Sequence, residues 1–157
     1  MHAVYVVRRP GWSLCREEGR DLSRLHNKLG RKLSMIGVLK EDTDTDGVKT
    51  FQNKYFPFPL YVDKERQFYK ELGNRKLHSW NIFNMLTSYP RLQKRWASKG
   101  DDITGNYRGE GLLQGGVLLV SKEHGVVFKH TEKTGSELPV GSIESIVNDL
   151  VEDEIME

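Results

Sequence analysis

A chain of 157 residues can bury a hydrophobic core without a disulfide or a metal, and a single domain over residues 1–157 is the simplest expectation. Charged residues make up 29% and hydrophobic residues 37% of the chain, as in globular proteins, and 24 Lys and Arg against 22 Asp and Glu argue against nucleic-acid binding. The single cysteine excludes an internal disulfide and fits a reducing compartment. The sequence shows no apolar run of about 20 residues and no signal peptide, so we expect a cytoplasmic protein without a transmembrane segment.

The first part of the chain predicts a strand, a helix and a second strand. Residues 3–8 are rich in β-branched side chains and end at a Pro-Gly turn. Leucines recur at helical spacing over 13–29, and residues 33–39 form another apolar run. This βαβ order predicts two parallel strands with a right-handed crossover.

The later elements are shorter, apart from the last helix. An acidic turn leads into a short helix around residues 48–55, followed by a strand at 60–63 and a helix over 64–72. Two apolar runs flank Lys122-Glu123-His124-Gly125, which predicts a β-hairpin. An amphipathic helix is expected over about 140–152, with an acidic tail at 151–157.

Residues 74–114 predict an insertion or a lid-like segment. Residues 78–96 show a partly helical apolar pattern that Pro90 is expected to interrupt, and glycines are frequent from 105 to 116. Aromatic side chains alternate with cations over 80–99, as in a lid over an apolar substrate, an interfacial helix or a nucleic-acid patch. We favour an amphipathic helix that packs its apolar side on the sheet.

Cys15 is the candidate for chemistry because it falls in or near the first turn of the first helix. Unpaired N–H groups and the helix dipole favour an anion there, and so do Arg8, Arg9 and Arg16, whereas the carboxylates of the Glu17-Glu18 pair oppose it. We therefore expect the pKa of the thiol to lie below its usual value of ~8.5. The alternative is an inert, buried cysteine that acts as a small hydrophobic residue.

Metal binding is the weaker possibility. Asp42, Asp44, Asp46 and Gly47 match the opening of an EF-hand loop, but Asn53 stands where a bidentate carboxylate is required, so we expect a solvated acidic turn. The five histidines lack metal-ligand spacing, and one cysteine cannot form a zinc site.

Several stretches resemble the peroxiredoxin-like 2 family of the thioredoxin superfamily. They are Arg8-Arg9-Pro10-Gly11, Leu14-Cys15-Arg16-Glu17-Glu18, Asp21-Leu22-Ser23, Leu60-Tyr61-Val62-Asp63, Phe68-Tyr69-Lys70-Glu71-Leu72-Gly73, Gly105-Asn106 and Gly115-Gly116-Val117. The resemblance runs from about residue 3 to residue 150. It implies an α/β thioredoxin-like fold of the peroxiredoxin-like variant, with a central mixed sheet flanked by helices. It also implies a cytoplasmic thiol oxidoreductase that binds no cofactor and draws electrons indirectly from NADPH.

The chain departs from the family at two places. Members of the family that this chain resembles carry a Cys-x-x-Cys motif at the helix start. Here Trp12 stands at the first cysteine position, and Cys15 alone is retained. A peroxiredoxin places an arginine where this chain has Gln114-Gly115-Gly116. A lone thiolate can still reduce an O–O bond to give a sulfenic acid, but its recycling then needs an external thiol such as thioredoxin or glutathione.

The resulting hypothesis is a thiol-dependent oxidoreductase that reduces a peroxide or a lipid endoperoxide, as in prostaglandin metabolism, through Cys15. The alternative is a non-catalytic thioredoxin-fold binding or regulatory protein that lost its redox pair. An active enzyme requires an exposed thiol of low pKa, and a binding protein does not. The predicted catalytic residues are Cys15, Arg16 and Arg9, and the predicted substrate-binding residues are Arg8, Trp12, Trp80 and Phe83.

Overall fold

Strands and helices alternate along most of the chain. The computed structural model describes residues 1–77, 79–133 and 135–156, with the backbone alone for 79–82, 84–85 and 152–156. In these residues the elements are β1 (His2–Val7), α1 (Ser13–Leu29), a 3-10 turn (Gly30–Lys32), β2 (Ser34–Leu39), α2 (Thr45–Lys54), β3 (Leu60–Val62), α3 (Gln67–Glu71), α4 (Ser79–Ser98), β4 (Gly116–Ser121), β5 (Gly125–Thr131) and α5 (Val140–Met156).

The described strands form one mixed sheet in the order β3-β2-β1-β4-β5. β1 pairs in parallel with β2, as the βαβ pattern predicts, and β2 pairs in parallel with β3. β4 pairs antiparallel with β1 and with β5, so the predicted hairpin is confirmed. β1 is therefore the central strand, and its carboxyl end leads directly into the turn before Cys15.

Alternating side chains of β1 enter two separate cores. Ala3, Tyr5 and Val7 point into the larger core, which includes apolar residues of α1, α2 and α5. Val4 and Val6 point into a smaller core on the other face. This period-2 alternation is what a strand covered on both faces requires. It also aims the Tyr5 side chain towards the start of α1.

Helix α4 is buried at one end and exposed at the other. Leu92 and Trp96 belong to the larger core, so this half buries its apolar side as expected, and the Trp96 Nε1–H donates to Glu17 of α1. Phe83 and Leu86 are 62% and 56% exposed. The helix continues through Pro90, contrary to the expected interruption. Since Pro90 and Leu86 are both exposed, water can satisfy the carbonyl that the missing N–H leaves free.

Two further expectations need correction. Helix α5 extends to Met156, so residues 151–156 continue a helix instead of forming a separate tail, because no glycine or proline ends the helical pattern. Asp42 and Asp46 are exposed, as expected for a solvated turn, but Asp44 is only 8% exposed. Its carboxylate accepts a hydrogen bond from the Gly47 N–H at 3.2 Å and caps α2. His78, the expected start of α4, lies outside the described residues.

Gly115 provides a test of how β1 and β4 are joined. A Cβ atom here would lie 2.0 Å from the Val6 carbonyl oxygen, which belongs to rigid backbone. We expect Gly115→Ala to destabilise the protein by about 2–4 kcal/mol, the cost of forcing a strand pair apart in a packed core. Urea unfolding followed by circular dichroism measures this change.

The matched control is Gly141→Ala, which adds the same methyl group to helix α5, where a Cβ meets nothing within 4 Å. Here we expect no loss of stability, because alanine is the better helix former. Equal stability of the two variants would contradict the close approach at Gly115.

Candidate active site

Cys15 lies in the first turn of α1, just beyond the end of β1. Its side chain is 1% exposed and belongs to the larger core. The Tyr5 hydroxyl donates a hydrogen bond to the Cys15 carbonyl oxygen at 3.1 Å and contacts Glu18 Oε2 at 2.8 Å. The central strand therefore fixes the position of this turn. The predicted location of the thiol is correct, and its burial agrees with the alternative of a buried cysteine.

Two buried carboxyl groups flank the thiol. The Cys15 sulfur and one carboxyl oxygen each of Glu18 and Glu132 lie within 4.8 Å of one another. Glu132, which follows β5, pairs with the Arg8 guanidinium, with NH1 3.1 Å from Oε1. The Gly115 N–H points at the other oxygen of Glu132 at 3.4 Å. The sequence had no signal for Glu132, because it follows a strand far along the chain.

The surroundings of Cys15 raise the pKa of its thiol to about 12. Burial is the largest cause, since it penalises the charged form, and the charges of Glu132 and Glu18 act in the same direction. The backbone N–H of Arg9 and the charge of Arg8 lower the pKa, as the sequence predicts. They do not compensate for burial, and the expectation of a pKa below the usual value is wrong.

Glu18 is the second titratable group of this cluster with a clear shift. Burial raises the pKa of Glu18 well above its ordinary value, and the charge of Glu132 raises it further. Burial likewise raises the pKa of the Tyr5 hydroxyl. Both groups therefore favour their neutral, protonated forms. Glu132 is the carboxyl group that faces a cation directly, through Arg8.

The arginines near the thiol bind the loop between α4 and β4. We call residues 101–113 the cover loop. The Arg8 Nε–H donates to the Gly111 carbonyl, and Arg9 NH1 donates to a cover-loop carbonyl, that of Tyr107, at 2.9 Å. Arg16 NH1 donates to the carbonyl of Thr104 at 2.7 Å. The guanidinium groups of Arg9 and Arg16 thus hold the cover loop, a role that the sequence did not predict.

Further contacts hold the cover loop on the turn before α1. The Asn106 N–H donates to the Gly11 carbonyl at 2.7 Å, and a Cβ at Gly105 would lie 2.8 Å from the Ser13 nitrogen. Asp101 pairs with guanidinium groups of α1, with Arg20 NH1 2.7 Å from its Oδ1. The loop therefore lies closely over the segment that carries Cys15.

The predicted aromatic pocket around Trp12 is not formed as expected. Trp12 is 3% exposed and lies under the Arg8 guanidinium, whose central carbon is 4.0 Å from the ring centroid. It packs in the core because it fills the space at the start of α1. Phe83 is mainly exposed and lies outside the residues that line the cavity described next. The side chain of Trp80 lies outside the described residues.

A cavity of about 520 Å³ opens between α4 and the cover loop. Leu86, Tyr107 and Leu112 supply its apolar surface, and Arg8 and Arg9 also line it. The Nε atom of Arg9 is buried and has no hydrogen-bond partner among the described residues. The sequence indicated Leu86 as an apolar helix residue, but nothing marked Tyr107 and Leu112 in the glycine-rich loop. Apolar walls with a partly unsatisfied cation suit an amphiphilic anion.

The cluster of Cys15, Glu18 and Glu132 is also the one group of three or more ligand-type side chains found together among the described residues. Its two carboxyl groups already have partners, because Arg8 pairs with Glu132 and the Tyr5 hydroxyl contacts Glu18. A dication would have to replace both contacts in the presence of a guanidinium. The donor set therefore favours proton chemistry over metal binding.

None of the described helices is long and apolar enough to cross a bilayer.

Similarity to known proteins decides the family. The family model described as AhpC/TSA antioxidant enzyme matches residues 21–134. The chain belongs to this family. Within it, the chain is 35% identical to human Peroxiredoxin-like 2A over 132 residues, which cover 83% of this chain and 55% of that protein. It is 34% identical to the Bos taurus prostamide/prostaglandin F synthase over 144 residues, covering 89% of this chain and 70% of that enzyme.

Solved structures of peroxiredoxins share the fold. Mycobacterium tuberculosis AhpC aligns with a TM-score of 0.58 at 13% identity, over 98% of this chain and 70% of that chain. Xanthomonas campestris peroxiredoxin Q aligns with a TM-score of 0.59 at 15% identity, over 94% and 77%. The expected peroxiredoxin-like thioredoxin fold is therefore confirmed.

Membership of the AhpC/TSA family supports a redox role. The family match begins six residues after Cys15. The chain spans little more than half the length of several curated relatives, for example 55% of the human protein.

The buried thiol should react slowly in the folded protein. A pKa raised from 9.0 to about 12 reduces the thiolate fraction about 10³-fold at neutral pH. We expect iodoacetamide at pH 8 to label native Cys15 at least about 100-fold more slowly than the chain unfolded in urea. Mass spectrometry over time measures both rates. A native rate within about tenfold of the unfolded rate would contradict the burial of the thiol.

Proposed function

We propose that this chain is a thiol-dependent oxidoreductase of peroxiredoxin-like type that reduces a peroxide or lipid endoperoxide through Cys15. One observation carries the proposal: the chain's single thiol lies in the first turn of α1, beside the Arg9 N–H and within the field of Arg8, in a fold of the AhpC/TSA family. Both groups favour the thiolate over the thiol.

The chemistry needs one sulfur and an external reductant. The Cys15 thiolate attacks one oxygen of a hydroperoxide, the O–O bond breaks, and the departing oxygen takes a proton to give an alcohol. The sulfur is oxidised to a sulfenic acid. One external thiol condenses with it to a mixed disulfide and water, and a second thiol releases Cys15 as a thiol. Thioredoxin or glutathione is the proposed reductant in a reducing, cytoplasmic compartment, with NADPH as the distant electron source.

Access to the sulfur requires movement of the cover loop. Cys15 is 1% exposed, and the cover loop is fixed to the preceding turn by the Asn106–Gly11 hydrogen bond and by the arginines. These contacts are hydrogen bonds to backbone carbonyls, each contributing on the order of 1–3 kcal/mol when the donor is charged. Opening the loop locally is therefore less costly than unfolding the domain. The slow native thiol and a redox function are compatible on this basis.

The cavity supports a lipid as the substrate class. Leu86, Tyr107 and Leu112 can bury an alkyl chain at about 0.8 kcal/mol per methylene, and the positive charge of Arg9, which also lines the cavity, can interact with a carboxylate or amide head group. The relative from Bos taurus carries the name prostamide/prostaglandin F synthase, in agreement with such a substrate. Arg8 lies both in the cavity wall and against Glu132, which places the cavity beside the cluster of Cys15.

A second candidate is a thioredoxin-fold binding or regulatory protein without turnover. The burial of Cys15 and its raised pKa favour this function, because a binding protein needs no reactive thiol. Trp12 at the first cysteine position of the family motif also favours it, since no dithiol can form.

Peroxide turnover distinguishes the two candidates. We expect the protein to consume cumene hydroperoxide with glutathione or a thioredoxin system as reductant, and Cys15→Ser to lose at least about 95% of this activity because the nucleophilic sulfur is gone. Coupled NADPH oxidation measures the rate. A dimedone adduct on Cys15 after peroxide treatment should appear in parallel. If neither turnover nor the adduct is detected, the binding function stands and the oxidoreductase is rejected.

Truncating the cavity wall tests the substrate class. We expect Leu86→Ala to lower kcat/KM for a fatty-acid hydroperoxide about fivefold, since about 1 kcal/mol of apolar contact is lost, and to leave hydrogen peroxide unaffected. Val126→Ala, which shortens an exposed side chain of β5 outside the cavity, is the matched control. Equal losses for both peroxides, or none for the fatty-acid hydroperoxide, would show that the cavity does not bind the lipid.

A further inference from the structure

The carboxyl groups beside Cys15 are not used by the reaction above, and one of them is suitably placed to act in it. Glu132 is 4% exposed, one of its oxygens lies within 4.8 Å of the Cys15 sulfur, and its Oε1 atom is 3.1 Å from Arg8 NH1. Glu18 also has an oxygen within 4.8 Å of the sulfur, but it contacts the Tyr5 hydroxyl instead of a cation. The two carboxyl groups are therefore in different electrostatic environments.

We propose that Glu132 is the proton acceptor for the Cys15 thiol and that Arg8 exchanges its counter-ion from Glu132 to the thiolate. This assignment rests on the proposed function and adds a second catalytic group to it. Arg8 stabilises Glu132 as a carboxylate in the resting protein. When Glu132 takes the proton of Cys15, the guanidinium remains beside a negative charge, which now resides on sulfur.

Charge balance favours this route over loss of the proton to water. Loss to water leaves two anions, Glu132 and the thiolate, beside a single guanidinium in a buried cluster. Transfer to Glu132 keeps the net charge of the cluster constant, so no additional charge is buried. Glu18 does not suit this role, because it already favours its protonated form and so cannot accept a further proton from the thiol.

Groups from every neighbouring element are consistent with this assignment. Several titratable groups interact electrostatically with the thiol. They are Tyr5 from β1, Arg8 and Arg9 from the following turn, Glu18 from α1, Lys40 after β2, Tyr69 from α3 and Glu132 after β5. Lys40 pairs with Glu110 of the cover loop, and the Tyr69 hydroxyl donates to the Val7 carbonyl at 2.6 Å. Neither of these two side chains is a carboxylate that can accept the proton.

The complete step balances without a further reagent. The proton moves from the Cys15 sulfur to Glu132, and the thiolate attacks the distal oxygen of the hydroperoxide. The O–O bond breaks as the S–O bond forms, and the departing alkoxide takes the proton back from Glu132. The products are a sulfenic acid, an alcohol and the original carboxylate. Glu132 therefore acts first as general base and then as general acid.

The pH profile of Cys15 oxidation tests the assignment. Because thiolate with protonated Glu132 has the same number of protons as thiol with ionised Glu132, the rate of oxidation by hydrogen peroxide should be independent of pH between about 6 and 8. In Glu132→Gln the thiol must lose its proton to solvent, so the rate should rise tenfold per pH unit over this range and fall below wild type at pH 7. Dimedone trapping with mass spectrometry measures both profiles on the full chain.

Matched variants separate catalysis from a simple charge effect. If Glu132 acted on the thiol only through its charge, Glu132→Gln would lower the pKa of Cys15 and speed the reaction at pH 7, which would overturn the proposal. Glu18→Gln should retain the pH-independent range, since it replaces a group that favours its neutral form. Glu123→Gln, an exposed position in the β4–β5 turn, should not change the profile.

Two outcomes keep the inference distinct from the proposed function. Wild-type oxidation that rises tenfold per pH unit overturns the role of Glu132 and leaves Cys15 as the redox group; this result needs no variant, so it stands even if Glu132→Gln fails to fold. A wild-type protein that peroxide does not oxidise rejects the proposed function. The iodoacetamide profile of the same protein then tests the proton transfer, with the same pH-independent range expected and a tenfold rise per pH unit overturning it.

Discussion

The ion pair between Arg8 and Glu132 joins the parts of the molecule that form the site. Arg8 follows the central strand, Glu132 follows the outer strand of the hairpin, and the guanidinium also holds the cover loop through Gly111. A buried pair of this kind gains little net stability over an apolar pair, but loss of either partner leaves an uncompensated charge. Its position next to a buried thiol means that the same two groups determine the packing and the electrostatics of Cys15.

Gly115 shows how backbone packing enforces this arrangement. The chain passes so close to the Val6 carbonyl that no side chain fits, and the Gly115 carbonyl accepts a hydrogen bond from the Glu132 N–H at 2.9 Å. Any side chain at Gly115 would collide with β1. The cation that faces the thiol must therefore come from another element, and in this chain it comes from Arg8.

Local pattern predicted the elements better than the contacts of the site. The β-branched run of β1 and the helical leucines of α1 fix the position of Cys15, because strand and helix periods are properties of neighbouring residues. The contacts of the arginines were not predictable, since the carbonyls that bind Arg9 and Arg16 lie 98 and 88 positions away along the chain. Glu132 was missed for the same reason. Trp12 was expected to line a pocket, because the sequence shows its residue type but not that it packs beneath the Arg8 guanidinium.

The arginine contacts of the cover loop have a consequence for the conditions under which it stays closed. A guanidinium keeps its charge throughout the physiological range, and a backbone carbonyl does not titrate at all. The fastenings at Tyr107, Thr104 and Gly111 are therefore insensitive to acidification, unlike contacts built from histidine or paired carboxylates. Because the acceptors are neutral dipoles, added salt also weakens these contacts less than it weakens surface ion pairs. These contacts hold their part of the loop at any physiological pH. The Asp101–Arg20 and Lys40–Glu110 ion pairs, which also hold the loop, weaken once acid protonates their carboxylates.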